Sequence, residues 1–97
     1  MLIEFDKLYK KMNFELQKKL KVTLDRLNAV KDFNEFLTLG LGRPHLLHNN
    51  LEGYYGVELN GNIRLVIKPE DDNLDSNIYI IKGVVDYHGD KQEWIIP

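Results

Sequence analysis

The chain contains no cysteine and a single serine, and each shortage excludes a class of chemistry. Without cysteine, no disulfide can brace the fold and no thiolate can bind zinc, so packing must hold the protein together and a reducing compartment suits it. The one serine, Ser76, stands within the acidic stretch 70–77, which reads as a surface loop without an activating base. A serine nucleophile is therefore not expected.

Long hydrophobic runs are also lacking. No stretch of ~18 or more apolar residues is present, so we expect no transmembrane helix and no membrane partner. Residues 1–6 lack the basic-then-apolar order of a secretory signal. The sequence therefore predicts a cytoplasmic protein. Its 97 residues predict one domain over 1–97, because natural domains cluster near ~100–150 residues.

The net charge of −2 hides an uneven distribution. Residues 1–31 carry eight basic and four acidic side chains, whereas residues 32–97 carry five basic and eleven acidic ones. The basic first part predicts either a solvated helix face or a stripe that follows a phosphate backbone, and the sequence leaves both open. The acidic second part argues mildly against a nuclease, since nucleic-acid-binding surfaces are usually basic.

Two helices are expected in the first half of the chain, after a short strand at 3–5. Asn13 is a good N-cap for the first, because its side chain can accept a hydrogen bond from a free backbone N–H. Asp32 can cap the second. Gly40 and Pro44 end it, since glycine adopts the left-handed conformation of helix ends and proline cannot continue a helix. Apolar residues at helical spacing give the first helix one buried face. They are Leu16, Leu20, Leu24 and Leu27.

After residue 50 the apolar residues alternate, which predicts strands. Asn60-Gly61-Asn62 is a strong hairpin signal between two of them. A three-residue loop at 60–62 gives one continuous apolar face, because it pairs apolar residues across the two strands. Arg64 then points to the other face of the sheet, away from the layer that the helices cover. The expected pairs are Leu59 with Ile63, Val57 with Leu65, and Tyr55 with Ile67.

The remaining sequence completes an antiparallel sheet. Residues 78–86 are apolar on both faces, as in a central strand. Residues 93–97 predict either a last edge strand or an arm that docks on a partner. The order of elements predicts an α+β fold, with an N-terminal strand, two helices, and an antiparallel sheet of three to four strands that carries the helices on one face.

The side chains suited to chemistry come from loops and strand ends of this sheet. Histidine can move protons near neutral pH, an arginine fork matches phosphate oxygens, and a tyrosine can position a hydroxyl or stack on a base. Together they suit attack of an RNA 2′-hydroxyl on the adjacent phosphate, a reaction that needs charge stabilisation and proton transfer but no metal. The residues concerned are His45, His48, Arg64, Tyr87 and His88.

Each of these residues also has a simpler interpretation. A histidine is more often an ordinary surface or hydrogen-bonded residue, and Tyr87 can be core packing. Arg64 can pair with Glu58 or Asp86, which contributes little at a surface. The three histidines could hold zinc, but without a cysteine or a placed carboxylate we expect no metal and no cofactor.

Four segments carry a family resemblance. They are Gly42-Arg43-Pro44-His45-Leu46-Leu47, Leu51-Glu52-Gly53-Tyr54-Tyr55-Gly56-Val57, Asn60-Gly61-Asn62-Ile63-Arg64-Leu65 and Val85-Asp86-Tyr87-His88-Gly89. Together they resemble the HigB, or plasmid maintenance killer, branch of the RelE-type toxins, and the closing Asp-Tyr-His is the most specific piece. The resemblance implies a RelE-like fold and the toxin of a type II toxin–antitoxin system, an endonuclease that cleaves messenger RNA on the translating ribosome.

The resemblance also implies residue roles. His88 acts as general acid or base, Tyr87 helps to place the scissile step, Arg64 stabilises the phosphate and His45 lies against the substrate backbone. At the position of His48 many relatives have lysine, which would hold phosphate more firmly. The substrate-binding residues that this assignment adds are His48, Arg43 and Lys68.

Partners follow from the same resemblance. We expect a HigA-like helix-turn-helix antitoxin, messenger RNA on the ribosome, and operator DNA only through the antitoxin complex. The apolar tail 94–96 supports a protein partner, because it is more hydrophobic than a free terminus should be. The alternative is a RelE-fold module without catalysis, which inhibits a target such as gyrase or only binds an antitoxin. A histidine at the strand end favours the nuclease.

Overall fold

From residue 12 to residue 96, the described part of the chain folds into two helices followed by a five-stranded antiparallel sheet, whose strands neighbour one another in chain order. The computed structural model describes residue 10, residues 12–88 and residues 91–96, and at residues 88, 91 and 96 it describes the backbone alone. The strand expected at 3–5 lies outside the described residues. The elements are α1 (Phe14–Ala29), α2 (Phe33–Leu39), β1 (His45–Leu46), β2 (Tyr55–Asn60), β3 (Ile63–Pro69), β4 (Tyr79–His88) and β5 (Lys91–Ile96).

The α+β class and the two helices are confirmed, whereas the sheet has five strands rather than three to four. The difference comes from the two ends of the sheet. Two residues of the segment expected as a loop, His45 and Leu46, pair with Gly56 and Tyr55 of β2. The tail pairs with β4 and so is a strand, not a free arm.

Helix α1 begins where the sequence predicts. The backbone N–H of Leu16 donates to the Asn13 side chain at 2.8 Å, which satisfies a donor that the helix itself cannot. The expected apolar stripe faces inward: Leu16, Leu20 and Leu27 are buried, and Leu24 is half-buried against the same core. The basic side chains of this helix therefore remain on the exposed surface.

Helix α2 is likewise capped as expected. The backbone N–H of Glu35 donates to the Asp32 carboxylate at 2.8 Å, and Gly40 ends the helix with a φ of 67°. Phe33 and Phe36 are fully buried, with their ring centroids 5.8 Å apart. This aromatic pair anchors the short helix on the sheet, since large rings supply much of the buried apolar surface in a small core.

The β2–β3 hairpin differs in one detail from the expected register. Val57 pairs with Leu65 and Tyr55 with Ile67, as predicted, but Ile63 pairs with Asn60 instead of Leu59. The register shifts between residues 58 and 60, so β2 carries a bulge at Leu59 and the loop shortens to 61–62. A bulge lets an extra residue enter one strand without turning the paired residues over to the other face.

The sheet has an apolar cluster on each face. The helix-facing core joins both helices to the inward residues of the sheet, including Val57, Leu65, Ile67 and Val84. A second, outer cluster lies on the opposite face and consists of Leu47, Leu51, Val66 and Val85. The face opposite the helices, to which Arg64 points, is therefore covered in part by the 47–51 segment. Val66 and Val85 are fully buried because this segment folds over them.

The tail is hydrophobic because it packs within the chain. Trp94 packs against the outer cluster and Ile95 against the helix-facing core. Because the tail packs within the chain, its hydrophobicity no longer supports the prediction of a protein partner. The start of β4 also departs from the expected buried strand, since Ile78, Ile80 and Ile81 are exposed. Neither helix of the described residues has the length and apolar character needed to span a membrane.

Candidate functional site

Arg64 and Tyr87 meet on the outer face of the sheet. Arg64 lies on β3 between two residues of the helix-facing core, so its side chain points to the opposite face, as predicted. Its guanidinium carbon is 5.9 Å from the centroid of the Tyr87 ring, and Nη1 donates to the backbone carbonyl of Gly61 at 3.2 Å. A guanidinium over a phenol ring is an attractive arrangement that fixes the orientation of the cation.

Gly56 forms the floor on which His45 and Arg64 come together. A Cβ at Gly56 would lie 3.2 Å from Leu47 Cδ2, 3.3 Å from Arg64 Cδ and 3.7 Å from His45 Cε1. Glycine lets the side chains of β3 and of the segment 45–47 approach the backbone of β2 closely, and a larger residue would push them outward by a few tenths of an ångström. Arg64 therefore lies over the ring of Tyr87 and beside the ring of His45.

The orientation of His45 fixes which nitrogen is available. Its Nδ1 lies 3.2 Å from the backbone oxygen of Arg43. A carbonyl oxygen can only accept, so Nδ1 carries the proton in this hydrogen bond and Nε2 of the neutral ring keeps its lone pair. The ring is exposed, so this nitrogen is open to a ligand on the outer face.

A tight turn before β1 positions His45 beside Gly56. Gly42 has a φ of 73°, and a Cβ there would lie 2.6 Å from Val57 Cγ1, so only glycine fits. Its carbonyl accepts a hydrogen bond from the Glu58 backbone N–H at 2.7 Å. Arg43 follows with a φ of 47°, and the chain then runs antiparallel to β2. Backbone pairing therefore holds the histidine, rather than side-chain packing.

Of the three cationic side chains predicted to bind substrate, Arg43 and Lys68 form ion pairs with carboxylates. Arg43 Nη2 lies 2.9 Å and 3.0 Å from the two carboxylate oxygens of Glu58, and Lys68 Nζ lies 3.6 Å from Asp72 Oδ1. Lys68 also lies 5.2 Å from the centroid of the Tyr54 ring. Arg64, by contrast, has no carboxylate partner among the described side chains. Of these three cations, only Arg64 keeps its charge unpaired with respect to the carboxylates that the structure describes.

The alternative interpretation of Arg64 as an ion-pair partner of Glu58 or Asp86 is therefore wrong on the described contacts. Glu58 is engaged by Arg43, and no ion pair joins Arg64 to Asp86. Tyr87 is half-buried against the outer cluster, so it serves packing and still presents its ring to Arg64.

The remaining two histidines are placed less fully. His48 is exposed and precedes the 3₁₀ turn Asn49–Leu51, and none of its described contacts joins it to Arg64 or Tyr87. His88 ends β4, one residue after Tyr87, and its backbone pairs with Lys91 of β5. Its side chain lies outside the description, so the catalytic role assigned to it by resemblance stays a prediction. Within the described part of the chain, no three histidine or carboxylate side chains cluster in a way that could hold a metal ion.

A groove of about 400 Å³ lies between α1 and the end of β2. Lys18, Lys19 and Arg26 line it together with the carboxylates Glu15 and Glu58. Mixed charge is typical of a solvated helix face, whereas a phosphate-binding stripe would be basic throughout. The groove therefore supports the simpler of the two interpretations of the basic helix.

Sequence reasoning assigned no role in the site to three residues of the outer face. Tyr54 lies under Lys68, Trp94 joins the outer cluster, and Gly56 makes room for His45 and Arg64. The isolated glycine within a strand was a usable signal, since it marks a close approach. The sequence around Trp94 gave no such signal, because the residue beside it on the outer face, Val85, belongs to another strand.

Comparison of the chain with protein-family models, with curated proteins and with solved structures found no match in any of the three.

Proposed function

We propose that this protein is a metal-independent endoribonuclease that cleaves messenger RNA, and that it is the toxin of a toxin–antitoxin pair. The observation that carries the proposal is the position of Arg64, a cation without a carboxylate partner among the described side chains, held over the Tyr87 ring and beside the His45 ring. A phosphate at this point would meet a fixed positive charge, a phenol and an imidazole. The four segments that resemble HigB toxins supply the same residues.

The reaction is attack of an RNA 2′-oxygen on its own 3′-phosphate. The bond between O2′ and phosphorus forms, the bond from phosphorus to O5′ breaks, and a 2′,3′-cyclic phosphate and a 5′-hydroxyl result. One group must take the proton of the 2′-hydroxyl, and another must give a proton to the leaving oxygen. Arg64 would stabilise the negative charge that develops on the phosphate oxygens. One well-placed donor of this kind accelerates the reaction by roughly 10²–10³.

His45 suits the role of base, because its Nδ1–H is held by the Arg43 carbonyl and the lone pair of Nε2 is free. The acid in this proposal is His88, from the resemblance and its place directly after Tyr87. Tyr87 would position the ribose or the phosphate with its hydroxyl. His48 and Lys68 would contact the substrate backbone farther from the scissile bond, and Arg43 would act mainly on Glu58.

We further propose, from the same resemblance, a cytoplasmic protein that acts on translated messages and is neutralised by a helix-turn-helix antitoxin of the HigA kind. The ribosome would supply binding energy that the acidic second part of the chain does not. Operator DNA would be bound only through the toxin–antitoxin complex. Within the α+β class, we propose that the fold is RelE-like.

A second function has an observation in its favour. Arg43 and Lys68 are both ion-paired, and residues 32–97 carry eleven acidic side chains against five basic ones. A surface of this kind suits a binding module that inhibits a protein target, of the gyrase-directed type, or that only engages an antitoxin. The two proposed functions differ in whether the chain cleaves RNA.

The deciding experiment compares growth and RNA ends in bacteria that express the wild-type chain, Arg64→Ala or His88→Ala without an antitoxin. We expect the wild type to arrest growth and to leave discrete, codon-phased ends on translated messages, and we expect both variants to lose these effects. Arrest by all three chains, without new RNA ends, would favour the binding module. Equal growth with all three would refute toxicity. Thermal unfolding of each variant shows whether the fold is kept.

A further inference from the structure

Aromatic side chains accompany the cations on the outer face. Tyr54, Tyr87 and Trp94 are all half-buried and all pack against the outer cluster. Two of them lie under a cation, since Arg64 is 5.9 Å from the Tyr87 ring and Lys68 is 5.2 Å from the Tyr54 ring. Aromatic rings interleaved with cations are the pattern of surfaces that bind single-stranded nucleic acid, in which bases stack on rings and cations track phosphates.

Trp94 lies in the same row of the sheet as Arg64. Val85 of β4 pairs with Arg64 on one side and with Trp94 of β5 on the other. Paired residues of neighbouring strands project to the same face, so Arg64, Val85 and Trp94 follow one another across it. Two strand spacings separate the tryptophan from the arginine, about 10 Å. Val85 between them is fully buried, whereas Arg64 and Trp94 are both partly exposed.

The indole is held by packing alone. It contacts the outer cluster, remains partly exposed, and donates no hydrogen bond to any described residue. Packing beside Val85 in the outer cluster needs an apolar side chain, not specifically an indole. A large flat ring beside a cation without a carboxylate partner suits a ligand that has both an anion and an aromatic part. A nucleotide has both.

We propose that Trp94 stacks on a nucleobase of a single-stranded RNA whose phosphate is held by Arg64. This inference rests on the proposed function for the identity of the ligand, and it names Trp94 as a binding residue for a base next to the scissile phosphate. Stacking tolerates every base, so Trp94 would add affinity and fix the position of the strand without reading its sequence.

The chain has only one tryptophan, which makes its fluorescence a direct report from this position. The probe is a short 2′-O-methyl RNA with a 5′ fluorescein label, which cannot be cleaved because the attacking hydroxyl is blocked. Anisotropy of the label measures binding, while the emission of Trp94 measures stacking. An oligomer of equal length and charge in which the bases are removed serves as the matched ligand.

We expect the RNA to bind and to quench Trp94, and the abasic oligomer to bind more weakly without quenching. Trp94→Leu should weaken binding of the RNA by about 5- to 150-fold, the factor for loss of one base stacked on an aromatic side chain, and should leave binding of the abasic oligomer unchanged. Trp94→Phe should restore part of the affinity. Arg64→Ala should weaken binding of both oligomers.

Binding without a change in Trp94 emission would overturn the inference, as would equal quenching by the abasic oligomer or no binding of either oligomer. An effect of Trp94→Leu on both ligands alike would point to a purely structural role. Since the probe is never cleaved, these results are independent of the cleavage assay. A wild-type chain that leaves no discrete RNA ends refutes the proposed nuclease and does not affect the stacking result. Absence of stacking, in turn, does not affect the cleavage assay.

Discussion

Glu58 lies opposite Arg64 in the β2–β3 register, yet it forms its ion pair with Arg43. Arg43 Nη2 approaches both carboxylate oxygens, at 2.9 Å and 3.0 Å. The pair lies at the surface, with the Arg43 side chain 81% exposed, so its direct effect on stability is small. Its consequence is electrostatic: Arg43 engages the carboxylate that lies opposite Arg64 in the pairing, so Arg64 has no carboxylate partner among the side chains that the structure describes.

The first prediction follows from this relationship. Arg43→Ala frees Glu58 to pair with Arg64, so RNA cleavage should fall by about two- to fivefold, the factor for an exposed ion pair of ~0.5–1 kcal/mol. The double variant Arg43→Ala with Glu58→Gln should recover the loss, because no carboxylate is then left to compete. Cleavage of a labelled message measures both. If the double variant stays as slow as the single one, Arg43 contacts substrate directly.

The second prediction concerns the floor of the site. Gly56→Ala places a methyl group 3.2 Å from Leu47 Cδ2 and 3.3 Å from Arg64 Cδ, so both side chains must shift by a few tenths of an ångström. We expect a change in unfolding free energy below about 1–2 kcal/mol, because the overpacking is local. Cleavage should fall at least about tenfold, since a small displacement of a positioned group costs much of its effect.

The control for Gly56→Ala is Val66→Ala, which removes volume from the same outer cluster without crowding Arg64. That change should cost more stability, because it leaves a cavity under Leu47 and Leu51. It should have the smaller effect on cleavage. The reverse order of the two variants in the cleavage assay would contradict a role for Gly56 in placing Arg64.

The third prediction concerns Tyr79, whose hydroxyl is buried and has no hydrogen-bond partner among the described residues. Burial, followed by the negative charges of Asp32 and Glu35, raises the pKa of Tyr79 above its ordinary value of 10.0. The unfolded chain therefore releases this proton at lower pH than the folded chain. The contribution of Tyr79 to stability should therefore be constant below pH 10 and should decrease as the pH rises above that value.

Tyr79→Phe keeps the ring beside Phe33, where the centroids are 5.7 Å apart, and removes the unpartnered hydroxyl. We expect equal or higher stability at neutral pH, by up to about 1 kcal/mol, and a weaker decline above pH 10. Urea unfolding at neutral pH and at high pH measures both effects. A variant that is less stable at neutral pH would show that the hydroxyl has a partner in solution.

The fourth prediction concerns the helix caps. Asn13→Ala and Asp32→Ala each remove an acceptor that lies 2.8 Å from a backbone N–H at the start of a helix. Each should cost about 1 kcal/mol of unfolding free energy. Asn28→Ala, at an exposed position inside α1, is the matched control and should be neutral or slightly stabilising, because alanine favours helix. Equal effects at positions 13 and 28 would show that the cap contributes nothing.

The helices were the most predictable part of the fold. Asn13, Asp32 and Gly40 act through bonds to residues three or four positions away, so local sequence contains the whole signal. The leucine stripe of α1 is local in the same sense. The pairing of Val57 with Leu65 was also predictable, because the alternation of apolar residues allows one register.

The bulge at Leu59, the short β1 strand and the cover over Val66 were not predictable from the sequence. A bulge depends on how the turn fits the twist of both strands, and β1 depends on a backbone pairing with β2 that has no side-chain signature. The cover exists because Leu47 and Leu51 have an apolar patch to bury, formed by two strands that are far apart in the sequence.

The sequence by itself determined the α+β class, the helix ends, the face to which Arg64 points and the residue types of the candidate site. Only the tertiary structure decided that Glu58 pairs with Arg43 rather than Arg64, that His45 rests over Gly56, and that Trp94 stands two strands from Arg64. The reason is range: caps and periodicity act within a few residues, whereas charge pairing and neighbours across a sheet depend on which distant segments the fold brings together.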